Sequence, residues 1–120
     1  MGVVVDSISP QGVVTLRAEG DLKGADLGVS GDRIIGNLVG RQWPCHRVVL
    51  DMHEASYMDS AALGWLIQVH KEFSAGGGKL VVCSVPPAIN RLFSLMSLDK
   101  VISIEKDQAS ALDAVQGAAS

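Results

Sequence analysis

Val48-Val49-Leu50-Asp51-Met52-His53-Glu54-Ala55-Ser56-Tyr57-Met58-Asp59-Ser60-Ala61-Ala62-Leu63-Gly64 is the stretch on which the architecture of this chain turns. From Arg47 to Met52 it is a short, nearly continuous apolar run, the pattern of a strand buried on both faces of a parallel sheet. From Ala62 to Phe73 the period changes: Leu63, Leu66, Ile67, His70 and Phe73 recur at helical spacing and predict one buried stripe. The same wheel puts Ala61, Trp65, Gln68 and Glu72 on the opposite, solvent side. A strand, a loop closing on Asp59-Ser60 and a helix together set a hydroxyl at a helix N-terminus. First-turn amides lack intrahelical partners and the helix dipole adds positive charge, so an anion there is stabilised, whether bound or attached as phosphate. Asp and Ser are also the ordinary capping residues of helix starts, and residue type alone does not separate the two roles.

Upstream of this stretch, Val3 to Val5 and Gly12 to Ala18 read as two strands joined by a turn built on Pro10 and Gly12, which predicts an N-terminal hairpin. Leu27, Ile34, Ile35 and Leu38 recur at helical spacing between Gly24 and Gly40. Gly28, Gly31, Gly36 and Gly40 oppose a helix there, so the helix is expected mainly from Asp32 onward. Downstream, Gly76-Gly77-Gly78 ends the helix and Lys79 to Val85 forms another apolar strand. Pro86-Pro87 opens a helix bearing Ile89, Leu92, Phe93 and Met96. Val101 to Ile104 gives a last strand and Gln108 to Gly117 a terminal helix with Leu112 and Val115 as apolar contacts. Strand and helix alternate after the hairpin. The prediction is an α/β fold with a mostly parallel sheet of about five strands and about four helices, forming one domain over 1–120.

The stretch resembles the STAS domain, the module of anti-sigma factor antagonists and of sulphate transporter tails. In that family an apolar strand ends in Asp-Leu, a short loop follows, and an apolar-Asp-Ser-Ser/Thr-Gly-Leu-Gly segment opens the second helix. Here Met58-Asp59-Ser60 closes the loop and Leu63-Gly64 continues the helix. Gly20-Asp21-Leu22 resembles the family's Gly-Asp/Glu-Leu, and Leu98-Asp99-Lys100-Val101 its late Leu-Asp-x-apolar turn, so the likeness covers nearly the whole chain. The chain departs from the family twice. The serine phosphorylated in sporulation-type members is the second after the aspartate, and that position is Ala61, which has no acceptor oxygen. In stressosome-scaffold members the phosphorylated serine follows the aspartate directly, which leaves Ser60 as the phosphoacceptor candidate. Lys23 stands where many members carry another acid.

The resemblance implies a regulatory module that binds and does not catalyse, docking on an anti-sigma factor or related GHKL-type serine kinase. The implied partner surface comprises Asp21, Tyr57, Met58, Asp59, Ser60, Ala61 and Trp65. Trp65 either anchors a partner or lies under another helix or the N-terminal hairpin. The alternative within the family is an unphosphorylated scaffold, or a subunit binding a nucleotide or lipid. Self-association is open under either reading.

Composition narrows the classes further. Hydrophobic residues make up 48% and charged residues 19%, an ordered α/β balance and not a disordered one. Ten basic against thirteen acidic residues, with no clustered Lys or Arg among aromatics, leave no footprint for nucleic acid. No apolar run approaches the length of a membrane span and the first residues lack a signal pattern, so the expectation is a cytoplasmic protein without membrane insertion. Cys45 and Cys83 lack ligand spacing, no metal or cofactor is expected, and Cys83 reads as a small core residue.

The remaining enzyme-like signals are weak. Asp51 and Asp59 flank one loop in the manner of a response-regulator receiver, but Asp6 stands alone after the first strand, where a receiver needs an acidic pair. Gly76-Gly77-Gly78-Lys79 precedes a strand and lacks the Ser/Thr of a phosphate loop. His53 and His70 have no nucleophile at a definite spacing, and Ser60 lacks the Gly-x-Ser-x-Gly elbow of a hydrolase.

Overall fold

A computed structural model describes residues 2–117; Met1 and residues 118–120 of the expected domain lie outside the described residues. In chain order the elements are β1 (Gly2–Ile8), β2 (Val14–Leu22), α1 (Gly24–Leu27), α2 (Ile34–Val39), β3 (Arg47–Met58) and α3 (Ser60–Gly76). They continue with β4 (Lys79–Cys83), α4 (Pro87–Leu95), β5 (Ser103–Glu105) and α5 (Gln108–Gly117). Short 3-10 turns at Trp43–Cys45 and Leu98–Lys100 complete the path. The five strands lie in the order β1-β2-β3-β4-β5; β1 runs antiparallel to β2 and every other neighbouring pair is parallel. The alternating α/β pattern, the hairpin and the mostly parallel sheet are therefore as the sequence predicts.

The continuous apolar runs follow from burial on both faces. In β3, Val48, Leu50 and Met52 enter the main core, where they meet Leu27, Ile35, Trp43, Leu63, Leu66 and Phe73. Val49, between them, points the other way and joins Val13, Val81, Cys83, Ala111 and Val115 under α5. On that second face the Asp51 carboxylate is buried but satisfied. It accepts from the His53 amide at 2.8 Å and from Gln108 Nε2 at 2.6 Å. Burial pushes the Cys83 thiol up to about 11, with Asp51 adding to the shift, so this cysteine is an inert core residue. No helix among the described residues is long and apolar enough to cross a membrane.

Four local expectations are corrected. β3 does not end at Met52 but continues to Met58, because β2 runs beside it as far as Leu22 and pairs Asp21 with Tyr57 and Leu22 with Met58. The segment between Gly24 and Gly40 is two short helices and not one. Gly28 takes φ 92, a left-handed conformation that closes α1 after Leu27. β4 starts at Lys79 as predicted but ends at Cys83, two residues early, and β5 starts two residues and ends one residue later than predicted. Along α3 the buried set includes Val69 and Trp65, whereas Ile67 and His70 are only half-buried, so the core-facing stripe is rotated from the predicted one.

Candidate functional site

The junction between β3 and α3 lies at the carboxyl end of the sheet, where open α/β folds place their ligands. Asp59 is the N-cap of α3, in extended conformation, and Ser60 is the first helical residue. One carboxylate oxygen, Asp59 Oδ1, accepts from the Ala62 amide at 2.8 Å and from the Gly24 amide at 3.0 Å. The first bond caps α3; the second ties the start of α1 to the start of α3. The cap position that an external anion would take at Ala62 is thus filled by the chain's own carboxylate. Ser60 remains exposed beside it.

The hydrogen bonds from Gly24 and Ala62, with Lys23 nearby, hold the Asp59 carboxyl below the usual carboxylate range. A carboxyl whose folded pKa lies below its unfolded value of about 3.9 adds stability above that value and loses it as pH falls through the folded one. Acid titration of stability should therefore fall more steeply below about pH 4 in the parent than in Asp59→Asn, which keeps an acceptor but cannot titrate. Parallel denaturation profiles for the two proteins down to pH 2, about two units below that threshold, would contradict this assignment.

Tyr57, Met58, Asp59 and Ser60 converge on one groove of about 530 Å³, a volume within the range of small-ligand and peptide sites. Tyr57 is 51% exposed and Met58 only 4%, so Met58 contributes the floor and Tyr57 the rim. Asp21, exposed at the end of β2, lies opposite Tyr57 in the strand register. Ala61 is exposed on the next helical position and packs its methyl against Gly24.

Trp65 is not on the solvent side. It is 2% exposed, and its Nε1–H donates to the Ser30 carbonyl at 3.0 Å. Nearby, Glu72 Oε1 accepts from the Gly31 amide at 2.8 Å, so the turn after α1 is bonded to the face the wheel had left to water. Neither a partner nor the N-terminal hairpin is needed to explain its burial.

The opposite wall of the groove was not legible beforehand. It comes from α4, through Ala88, Ile89, Leu92 and Leu95, and from the Met96 that caps its C-terminus. Ile89 and Phe93 already supply the buried contacts of that helix, while Leu95 is 76% and Met96 50% exposed. A surplus of apolar positions beyond one core-facing stripe was the available signal.

Three comparisons bear on this arrangement. The STAS domain family model matches residues 5–111. An anti-sigma F factor antagonist of Paenibacillus polymyxa is 27% identical over 93% of this chain and 94% of its own. Among solved structures, a Thermotoga maritima protein described as a candidate anti-sigma factor antagonist superimposes with a TM-score of 0.72 at 20% identity. The match covers 92% of each chain. The anti-sigma factor antagonist SpoIIAA in its unphosphorylated form gives 0.60 at 16% identity, over 97% of this chain and 99% of that one.

Proposed function

Since this chain belongs to the STAS domain family, we propose that it acts as an anti-sigma factor antagonist, a regulatory protein that works by binding and not by catalysis. Its docking face is the surface around Tyr57, Ser60 and the α4 wall of the groove, and its partner an anti-sigma factor or related serine kinase. The observation that carries this reading is an exposed serine, Ser60, lining a groove whose walls are mostly apolar. The relatives named as anti-sigma factor antagonists support the general role.

Phosphate on Ser60 is the off signal in this proposal. It would bring nearly two negative charges beside Asp59, whose carboxyl is already held ionised, and three strongly hydrated oxygens at the rim formed by Tyr57. A partner covering that rim would have to strip water from the phosphate or face like charge, so docking weakens while the fold stays intact. The Ala62 amide is occupied by Asp59 and so is not available to the new phosphate.

With the purified cognate kinase and labelled ATP, the parent is expected to incorporate phosphate and Ser60→Ala to incorporate none. Label persisting on Ser60→Ala, or absent from the parent, defeats the switch. Ser60→Asp should weaken docking by about tenfold or more. The unphosphorylated alternative, a scaffold or small-ligand subunit, is favoured by the volume of the groove. Its apolar lining suits a lipid chain better than a nucleotide.

A further inference from the structure

The groove has a feature beyond its apolar walls. β3 pairs with β2 along its length as far as Met58, but its pairing with β4 ends at Asp51 opposite Cys83. From Met52 to Met58, no strand among the described residues pairs with β3 on the β4 side, and this open edge runs into the groove at Ser56, Tyr57 and Met58. Strand edges present a row of main-chain N–H and C=O groups, a template for another extended backbone. The β2–β3 register is interrupted opposite this stretch, between Arg17 and Glu19 and between Gly20 and Asp21, and the His53 amide is taken by Asp51, so the stretch offered to a partner backbone is the end nearest the groove, from Ala55 to Met58.

We propose that this groove is a strand-addition site for an extended apolar segment of the partner protein. The segment pairs its backbone with the open edge of β3 and sets alternate side chains against Leu92, Leu95 and Met96. The inference rests on the reading of this surface as the docking face and names the form the partner takes there. The open edge decides the occupant. Only a polypeptide backbone supplies donors and acceptors at strand spacing; a lipid chain would fill the apolar walls but leave the edge unpaired. Alternation of side chains along such a segment then turns every second residue into the groove, which gives selectivity for small-to-medium apolar residues at those positions. Ser60, which also lines the groove, would stand beside one end of the added strand.

The test uses a phage-displayed library of random heptapeptides panned on the full chain, with Leu95→Asp as the comparison surface; Leu95 is exposed, so this change does not disturb the core. Enriched sequences should be apolar at alternate positions and bind the parent about tenfold or more tighter than Leu95→Asp. N-methylation of a synthetic copy at alternate backbone nitrogens should abolish binding. Amides between residues 55 and 58 should become protected from hydrogen exchange when the unmethylated peptide is added. Lack of enrichment, affinity indifferent to N-methylation, or decanoate occupying the groove where no peptide binds overturns the proposal. The outcomes separate it from the broader function: Ser60 phosphorylation with no peptide binding would leave the switch standing and remove strand addition. Peptide binding without phosphorylation would do the reverse.

Discussion

Trp65→Ala is expected to lower the unfolding free energy by about 3–5 kcal/mol, the range for removing a large buried aromatic side chain. Trp65 is enclosed in the main core beside Ala62, Leu66 and Val69 of the same helix, and its indole N–H is satisfied by Ser30. Alanine would leave a cavity beneath the turn that follows α1 and remove the hydrogen bond to the Ser30 carbonyl. Trp65→Phe separates the two contributions: it keeps most of the apolar volume, loses the hydrogen bond, and should cost about 1–2 kcal/mol. Urea denaturation followed by circular dichroism reads both values. A Trp65→Ala protein as stable as the parent but defective in docking would mean that the tryptophan is a surface anchor after all, and the packing described above would be wrong.

The second large effect is expected at Gly24. A methyl group there would collide with the Ala61 Cβ and lie 2.8 Å from the Ala61 carbonyl carbon and 3.0 Å from its Cα. These are largely backbone atoms of the first turn of α3 and cannot rotate away, so Gly24→Ala must push α1 off α3 and stretch the Gly24 bond to Asp59. The cost should be about 1–3 kcal/mol, the range for overpacking a filled site. Docking should weaken as well, because the displaced α1 borders Asp59 and Ser60. Gly64 offers the opposite case on the same helix. A Cβ there meets nothing within 4 Å, and Gly64→Ala should stabilise by about 0.5–1 kcal/mol through helix propensity alone. Thermal melts of the two variants should move in opposite directions; shifts of the same sign would contradict the close approach of α1 to α3.

The Asp59-Ser60 junction was readable because capping is local chemistry: the acceptor and the amide it meets are three residues apart. The second bond of the same carboxylate, to Gly24, spans 35 residues and left no mark in the sequence. His53, Glu54, Ser56 and Tyr57 read as loop because exposed residues interrupt the apolar pattern. They are strand because β2 lies alongside, and strand pairing is decided by a partner and not by local preference. The α4 wall of the groove was missed for a related reason: a helix shows its own stripes, but which other element faces each stripe is a matter of packing.

By itself, the order of residues determined the alternation of strands and helices, the hairpin, the two-sided burial of β3 and β4, and the placement of Ser60 at a helix start. Each of these depends on periodicity or on neighbours within a few positions. Tertiary structure alone decided that Trp65 is covered, that Asp59 fastens two helices, and that the end of β3 is open beside the apolar flank of α4. Those outcomes hinge on contacts between distant segments, whose free energies are realised only once the sheet has brought them together.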